Sequence, residues 1–361
     1  MVYAYALGVS FVVSAALTEL VRCLALRWGV LDHPGERKIH AAPVPLLGGV
    51  AICFTFFIMI GAHLLLLLPA RQFGSEWLES HVLSFLGANV WAKLAGLSLG
   101  GLLVFILGVV DDLKVLTPEK KLIGQVIAAG VTVACGVRLD LFIPNVWVSG
   151  AITVFWIVAM TNAMNFLDNM DGLSSGVAVI SAFSFFLCVL PHGETFICAL
   201  LMVFAGAVAG FLYHNLSPAR IFMGDAGSMF CGFILGTVAV LATFYTEHTP
   251  SRIAVVAPLL ALSVPIFDTL SVVYIRWSRG ESIMKGDKRH FSHRLVDLGM
   301  TPRQAVEFIF LVAAVTGLGA ALLPQVGLTG TYVILGQTIG VFLLIILLMK
   351  AAANKNGIGK S

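Results

Sequence analysis

Charged side chains are scarce in this sequence. Asp, Glu, Lys and Arg make up 11% of its 361 residues, whereas 59% are hydrophobic. A soluble globular domain usually carries about 25% charged residues, so this composition excludes an ordinary soluble protein. The mean hydropathy is +0.97. Together with apolar runs of about 20 residues, it predicts an all-α, polytopic integral membrane protein.

Three further signals are missing. The six cysteines lie within apolar runs and have neither metal-site spacing nor the pattern of a disulfide framework, so we interpret them as small core residues. No basic segment precedes the first apolar run, whereas Arg22 and Arg27 follow it, which predicts an uncleaved first span. Because no separate globular domain is visible, we expect one membrane-embedded domain over residues 1–361, with a late cytoplasmic loop at about residues 276–304.

About eleven transmembrane helices fit the apolar runs. We expect them at residues 4–26, 46–68, 91–110, 121–137, 146–164, 173–190, 196–213, 227–246, 252–275, 305–323 and 331–350. All but four of the 22 Lys and Arg residues then lie on one side; the four are Arg71, Lys93, Arg138 and Arg252. The positive-inside rule makes the basic side cytoplasmic, with the N-terminus outside and the C-terminus inside.

The polar clusters all fall on this predicted cytoplasmic side. They are Asp32–His40, Asp111–Lys114, Asn162–Gly172, Phe222–Ser228 and Arg276–Arg303. The outer loop at residues 69–90 instead has the mixed pattern of an amphipathic interfacial helix. We therefore expect one active site, on the cytoplasmic face.

Asp111 and Asp112 end the third predicted span. Adjacent carboxylates at a helix C-terminus oppose the helix dipole and repel each other, which argues against a structural role. The pair favours binding a cation, or steering or deprotonating a phosphate nucleophile. Lys121, at the start of the next span, would lie near the same surface.

Asn162, Asn165 and Asp168 end the fifth predicted span with a spacing of i, i+3 and i+6, so they would share one helix face. Amide and carboxylate oxygens, completed by phosphate and water, suit Mg²⁺. Asp171 precedes the sixth span, and Asp225 opens the eighth among glycines. For both, an N-cap is the alternative to a functional role.

Asp268 lies inside the ninth predicted span and belongs either to the site or to a brace that hydrogen-bonds a helix end. In the late loop, His290, His293 and Arg294 have helical spacing and suit a pyrophosphate. The alternatives are an ordinary basic loop, an anionic-lipid patch or a zinc site, which lacks a nearby Cys or third His.

In this order the motifs resemble those of the polyprenyl-phosphate N-acetylhexosamine-1-phosphate transferases, membrane enzymes of the glycosyltransferase family 4 type. The resemblance covers nearly the whole chain. It rests on Arg37–His40, Asp111–Asp112, Asn165–Asp171, Met223–Asp225, Pro265–Thr269 and His290–Arg294. The late motif is similar to the UDP-N-acetylglucosamine branch, because the UDP-N-acetylmuramoyl-pentapeptide branch typically has adjacent histidines. Asn169 departs from the glycine that much of the family has there.

The resemblance implies roles for the matched positions. Asp225 and Asn165 would hold Mg²⁺, with Mn²⁺ as the alternative ion, and Asp111, Asp112 and Asp168 would act on the lipid phosphate. The implied substrate-binding residues are Asp171, Lys121, His290, His293, Arg294, Arg37, His40 and Asn162. The implied partners are a UDP-sugar, undecaprenyl phosphate and the bilayer, with no nucleic acid; monomer and homodimer both stay open.

The implied reaction transfers N-acetylglucosamine-1-phosphate (GlcNAc-1-phosphate) to undecaprenyl phosphate and releases UMP. It would be the first membrane step of cell-surface polysaccharide synthesis, such as that of lipopolysaccharide, in the bacterial inner membrane. UDP-MurNAc-pentapeptide or another UDP-N-acetylhexosamine is the alternative donor, and an aspartyl-phosphate route is the alternative to direct attack. Outside this class, a secondary transporter would place its ionisable groups near the bilayer midplane.

Overall fold

The computed structural model describes residues 1–32, 43–72, 88–139, 143–242, 244, 249–281 and 289–358. Within these residues, a helical bundle is accompanied by one antiparallel pair of short strands, β1 (Leu31–Asp32) and β2 (Val44–Pro45). The helices are α1 (Val2–Trp28), α2 (Gly48–Gln72), α3 (Ala88–Lys114), α4 (Pro118–Ala134), α5 (Val146–Leu167), α6 (Leu173–Val189), α7 (Thr195–Asn215), α8 (Gly224–Leu241), α9 (Ala257–Ala261), α10 (Ser263–Ser278), α11 (Phe291–Asp297), α12 (Pro302–Leu322) and α13 (Leu328–Ile358). Short 3₁₀ segments lie at Leu190–His192, Arg252–Val256 and Leu323–Gln325.

The predicted all-α polytopic fold is confirmed. In the described part of the chain, nine helices are long and apolar enough to cross a membrane, and one bent pair makes a tenth. The remaining predicted span corresponds to α4, which has 17 residues. At about 1.5 Å per residue its length is about 26 Å, near the roughly 30 Å of a hydrocarbon core. The predicted amphipathic helix at 69–90 falls largely outside the described residues.

The ninth span, predicted as one helix over residues 252–275, is broken. The segments Arg252–Ala261 and Ser263–Ser278 meet at an angle of 71°. Pro265 has no N–H to donate to the carbonyl of Ala261, four residues earlier, so the helix cannot continue unchanged through this turn. The hydroxyl of Ser181 donates to that carbonyl instead, at 2.9 Å. This substitute bond stabilises the bend.

The core lies around α7 and α8, which are apolar on all sides and buried along most of their length. Phe56 of α2 contacts Phe204 of α7 and Phe230 of α8, with ring centroids 6.2 and 5.6 Å away. Helix α13 is much less buried, because most of its apolar side chains are exposed on the protein surface. In a bilayer such a surface faces lipid.

A glycine contact sets the distance between α2 and the start of α8. A Cβ atom on Gly49 would lie 2.1 Å from the backbone nitrogen of Gly227. No side chain fits at that separation, so the two backbones touch. The backbone nitrogens of Gly48 and Gly49 also donate to the carbonyls of Phe222 and Met223, both at 2.9 Å. The entry of α2 is thereby held beside the residues that precede Asp225.

The substitution Gly49→Ala tests this contact. We expect it to lower the thermal unfolding temperature of the detergent-purified protein, because overpacking of this kind costs about 1–3 kcal/mol. Gly61→Ala is the matched control in the same helix, since a Cβ there meets no atom within 4 Å. An equal unfolding temperature for the two variants would contradict the close approach.

Candidate active site

The ends of α3, α4, α5 and α8 meet at one end of the bundle, and the ammonium group of Lys121 bridges three of them. Its Nζ donates to Asp111 Oδ2 at 2.7 Å and to Asp225 Oδ2 at 2.5 Å. Asp111 lies near the C-terminus of α3, Lys121 in the first turns of α4, and Asp225 in the first turn of α8. Thr117 is the N-cap of α4, and Pro118 is its first residue, where a missing N–H costs nothing. One cation therefore joins three helices.

Asp112 caps the N-terminus of a helix other than its own. Its Oδ1 accepts from the backbone nitrogen of Asp225 at 2.7 Å, and its Oδ2 accepts from that of Ala226 at 3.1 Å. Gly224 makes this approach possible, because its φ is +71° and a Cβ would lie 2.5 Å from Asp112 Oδ2. The sequence argument against a structural role is thus wrong for Asp112, since it considered only the dipole of α3.

Asn165 lies beside Asp225, as predicted. Its amide nitrogen donates to Asp225 Oδ1 and to the hydroxyl of Ser228, both at 2.9 Å. Asp225 is therefore contacted by Lys121 on one oxygen and by Asn165 on the other. The N-cap alternative for Asp225 is wrong, because Met223 holds that position. Ser228, which the sequence analysis missed, is one helical turn beyond Asp225.

Asp168 is the carboxylate that these contacts leave uncommitted. It lies at the C-cap of α5, and among the described residues none donates a hydrogen bond to its side chain. Burial and the neighbouring carboxylates of Asp225, Asp112 and Asp171 raise its pKa to about 8. A carboxylate in this setting requires a proton, a cation or a ligand that donates to it.

Two other predicted residues have protein partners. Asp171 Oδ2 accepts from the backbone nitrogen of Ala219 at 3.0 Å, whereas Gly172 is the N-cap of α6, so the capping alternative for Asp171 is wrong. Asn162 lies deeper, where its amide donates to Gln125 Oε1. Its role as a substrate ligand stays a prediction.

The late basic motif lies on α11 and is held against the site. His290 Nδ1 is 2.8 Å from Asp268 Oδ2, and the backbone nitrogen of Phe291 donates to Asp268 Oδ1. The bracing alternative for Asp268 is thereby confirmed. The guanidinium of Arg294 donates to the hydroxyl of Ser271, and His293 is half-buried on the same short helix.

Asn169 provides a second attachment for α11. The hydroxyl of Ser292 donates to Asn169 Oδ1 at 2.6 Å, and Asn169 Nδ2 donates to the carbonyl of Phe166 at 2.8 Å. A glycine at this position would offer no such side-chain acceptor. Asn169, where much of the family has glycine, therefore helps to hold α11 in this chain.

Arg37 and His40 lie outside the described residues. The strands that flank their loop are described: the carbonyl of Pro45, in β2, accepts from the backbone nitrogen of Phe222 at 2.8 Å. In the pair of strands, Leu31 lies opposite Pro45, and Asp32 lies opposite Val44. β2 thus lies beside the segment that leads into Asp225.

Asn215 is a positioning residue that the sequence analysis missed. Its Oδ1 accepts from the backbone nitrogen of Gly172 and from the hydroxyl of Ser175, and its Nδ2 donates to the carbonyl of Ile221. It therefore ties the start of α6 to the loop before α8. In the sequence, Asn215 could be recognised only as a single amide at the end of a long apolar run.

Among the described residues, the site carries more negative than positive charge. Lys121 bridges Asp111 and Asp225, and Asp112 and Asp168 interact with Asp225 as neighbouring carboxylates. Within the described residues, no group of three or more His, Cys, Asp or Glu side chains is arranged so that it could hold a metal ion. Oxygen donors in excess of cations fit a hard divalent ion that takes its remaining ligands from substrate phosphates.

The electrostatic position of Asp168 leads to a stability prediction. The folded-state pKa of Asp168, about 8, lies above the ordinary value of 3.8. Ionisation of Asp168 therefore destabilises the metal-free fold. This destabilisation is complete when the pH is above the folded-state pKa, and it is absent when the pH is below the ordinary pKa. In EDTA we expect Asp168→Asn to raise the unfolding temperature at about pH 9. The gain should shrink towards about pH 5.

Asp297→Asn, at an exposed position of α11, is the control for replacing any carboxylate by an amide. Its unfolding temperature should follow that of the wild type at both pH values. A lower unfolding temperature for Asp168→Asn at the higher pH would show that Asp168 is paired in the fold, contrary to the contacts described above.

Comparisons with known proteins agree with this arrangement. The family description Glycosyl transferase family 4 matches residues 94–243, which include α3 to α8 from Leu94 onward. A Bacillus subtilis protein named as a probable undecaprenyl-phosphate N-acetylglucosaminyl 1-phosphate transferase is 30% identical over 329 residues, covering 88% of this chain and 85% of the relative. A decaprenyl-phosphate N-acetylglucosaminephosphotransferase of Mycolicibacterium smegmatis is 33% identical over 334 residues, covering 84% and 78%.

A more distant relative extends the same pattern. The undecaprenyl-phosphate alpha-N-acetylglucosaminyl 1-phosphate transferase of Salmonella typhi is 27% identical over 334 residues, covering 89% of this chain and 82% of the relative. The similarity thus runs across nearly the whole helical bundle and includes every helix that contributes to the carboxylate site. This chain belongs to glycosyl transferase family 4, together with the polyprenyl-phosphate N-acetylglucosamine-1-phosphate transferases.

Proposed function

We propose that this protein transfers GlcNAc-1-phosphate from UDP-GlcNAc to undecaprenyl phosphate and releases UMP. The observation that carries the proposal is the cluster of Asp111, Asp112, Asp168 and Asp225 at one end of a membrane bundle, where Lys121 bridges Asp111 and Asp225. The names of relatives at 27–33% identity supply the substrate class. The basic residues on the loops support placing this end at the cytoplasmic face of a bacterial inner membrane.

The reaction joins two anions. An oxygen of the lipid phosphate attacks the phosphorus that bears the sugar, a new P–O bond forms, and the bond to the UMP oxygen breaks with its electron pair leaving on UMP. The lipid phosphate is itself the nucleophile, so the protein need not supply one. The site must offset the repulsion between the two phosphate groups, which is the main barrier.

Mg²⁺ is the cation that this donor set favours, and Asp225 with Asn165 would hold it. When bound, it would offset the charge of the donor pyrophosphate and of the departing UMP. Lys121 keeps the Asp225 carboxylate oriented through its 2.5 Å contact, and Asp112 holds the start of α8 through two backbone nitrogens. The residues that surround the ion site are thus fixed by the fold itself.

Asp168 is the best candidate to act on the lipid phosphate. Its oxygens have no hydrogen-bond donor in the described part of the chain, whereas those of Asp111 and Asp112 already accept hydrogen bonds from the protein, and Asp225 is assigned to the ion. Protonated Asp168 can donate to a phosphate oxygen, and ionised Asp168 can accept a proton from it. Because a phosphate monoester is largely dianionic near neutral pH, we assign Asp168 to orientation of the nucleophile.

The donor side of the site is formed by α11. His290, His293 and Arg294 lie on or next to this helix, which Asp268, Ser271 and Asn169 hold in place. Imidazole and guanidinium groups bind pyrophosphate through charge-assisted hydrogen bonds. UDP-GlcNAc would therefore place its pyrophosphate between α11 and the carboxylate cluster.

An assay of UMP release tests the activity, with purified protein, undecaprenyl phosphate and a panel of UDP-sugars. We expect transfer from UDP-GlcNAc to stop in EDTA and to return with Mg²⁺. We expect the substitution Asp225→Ala to abolish this transfer. Glu307→Ala is the control, because that carboxylate belongs to an exposed pair with Arg303. Wild-type turnover by Asp225→Ala would refute the metal assignment, and preference for UDP-MurNAc-pentapeptide would refute the donor assignment.

The alanine variants of His290 and Arg294 test the donor side. Both should raise KM for UDP-GlcNAc by about tenfold or more and leave KM for undecaprenyl phosphate nearly unchanged, because each loses a contact with the pyrophosphate. Steady-state kinetics with each substrate varied in turn would measure the two effects. A change confined to the lipid KM would place α11 on the acceptor side instead.

A further inference from the structure

Asp268 is assigned no contact with substrate or ion in the reaction described above, although it is fully buried within a membrane-spanning bundle. A buried carboxylate is costly unless its oxygens are satisfied. Here both oxygens are used, and both contact the segment that begins α11: Oδ2 lies 2.8 Å from His290 Nδ1, and Oδ1 accepts from the backbone nitrogen of Phe291. Asp268 is therefore directed at His290 and its neighbour.

The contact determines which nitrogen of His290 carries a proton. An ionised carboxylate only accepts hydrogen bonds, so the imidazole must present Nδ1–H to Asp268. The opposite nitrogen, Nε2, makes no hydrogen bond with the described residues, and it is not among the buried polar atoms without a partner. In the described part of the chain, His290 thus uses Nδ1 for the protein, and no residue there occupies Nε2.

Two further contacts locate the ring beside the carboxylate cluster. The imidazole lies against Phe166, with ring centroids 6.2 Å apart, and Phe166 directly follows Asn165. Ser292, two residues after His290, donates to Asn169 at 2.6 Å, directly beside Asp168. The ring is therefore held between Asp268 behind it and the end of α5 in front.

We propose that Asp268 is a positioning residue, which holds His290 so that Nε2 faces the pyrophosphate of the sugar nucleotide. The inference rests on the proposed function, because it takes His290 as a ligand of the donor. It adds an assignment for a residue that does not touch substrate. It also explains why α10 carries a fully buried carboxylate at a position where an apolar residue would be less costly.

The substitution Asp268→Asn separates positioning from simple bracing. The amide oxygen can still accept from Phe291, so the attachment of α11 is retained. The amide NH₂, however, would face Nδ1 and favour the tautomer with its proton on Nε2. We expect kcat/KM for UDP-GlcNAc to fall about 10- to 100-fold, the size of the effect when a metal-ligating histidine loses the partner that orients it. KM for undecaprenyl phosphate should stay within about twofold.

Two readouts distinguish this role from a general loss of stability. In ¹⁵N-histidine NMR, the wild type should show a proton on Nδ1 of His290, and Asp268→Asn should shift that signal. The double variant Asp268→Asn/His290→Ala should be no worse than His290→Ala alone, because both remove the same contact. Ser263→Ala is the control, since it removes one buried hydrogen bond of α10, to Thr316, away from the site.

A second substitution keeps the proposal testable if Asp268→Asn does not fold. His290→Asn retains an N–H donor at the position of Nδ1 and removes Nε2. We expect it to keep the unfolding temperature of the wild type and to lose kcat/KM for the donor as His290→Ala does. Wild-type activity of His290→Asn, additive losses in the double variant, or an unchanged His290 NMR signal in Asp268→Asn would each overturn the proposal. Absence of UMP release by the wild type would refute the proposed function, while the NMR comparison would still report on the Asp268–His290 contact.

Discussion

The bridge from Lys121 to Asp111 and Asp225 is the interaction on which the rest of this site depends. Carboxylates repel one another, and bringing several to one end of a membrane bundle is unfavourable without a cation among them. The ammonium satisfies two of them and joins α3, α4 and α8. Backbone nitrogens of α8 satisfy Asp112, and no described residue donates a hydrogen bond to Asp168. The described part of the chain thus supplies compensating positive charge for only some of these carboxylates.

The location of the site follows from the sequence pattern. The polar motifs lie at the ends of apolar runs, and alternating spans return those ends to the same side of the membrane, so Asp111, Asn165, Asp168 and Asp225 are expected to meet. Their individual partners do not follow from the pattern. Asp112 contacts a backbone nitrogen 113 positions away in the chain, and helix dipoles describe only the local environment. Asp171 and Asn162 likewise have partners, Ala219 and Gln125, that only the packing determines.

Hydropathy could not reveal the break in the ninth span, because both segments are apolar and their sum has the length of one helix. Pro265 was the local signal, and the substitute donor, Ser181, comes from another helix. The same limitation applies to Asn215. One amide at a helix end is compatible with a cap, a ligand contact or a brace, and three contacts with two different segments decide between them.

The hydrogen bond between Ser292 and Asn169 has a consequence for exchanging segments between relatives. The acceptor belongs to the stretch after α5, and the donor belongs to α11, so the two form one unit that is split over 123 positions of sequence. A chimera that receives a glycine-bearing stretch, but keeps this α11, would leave the buried hydroxyl of Ser292 without its acceptor. A chimera between family members should therefore exchange the stretch after α5 and α11 together.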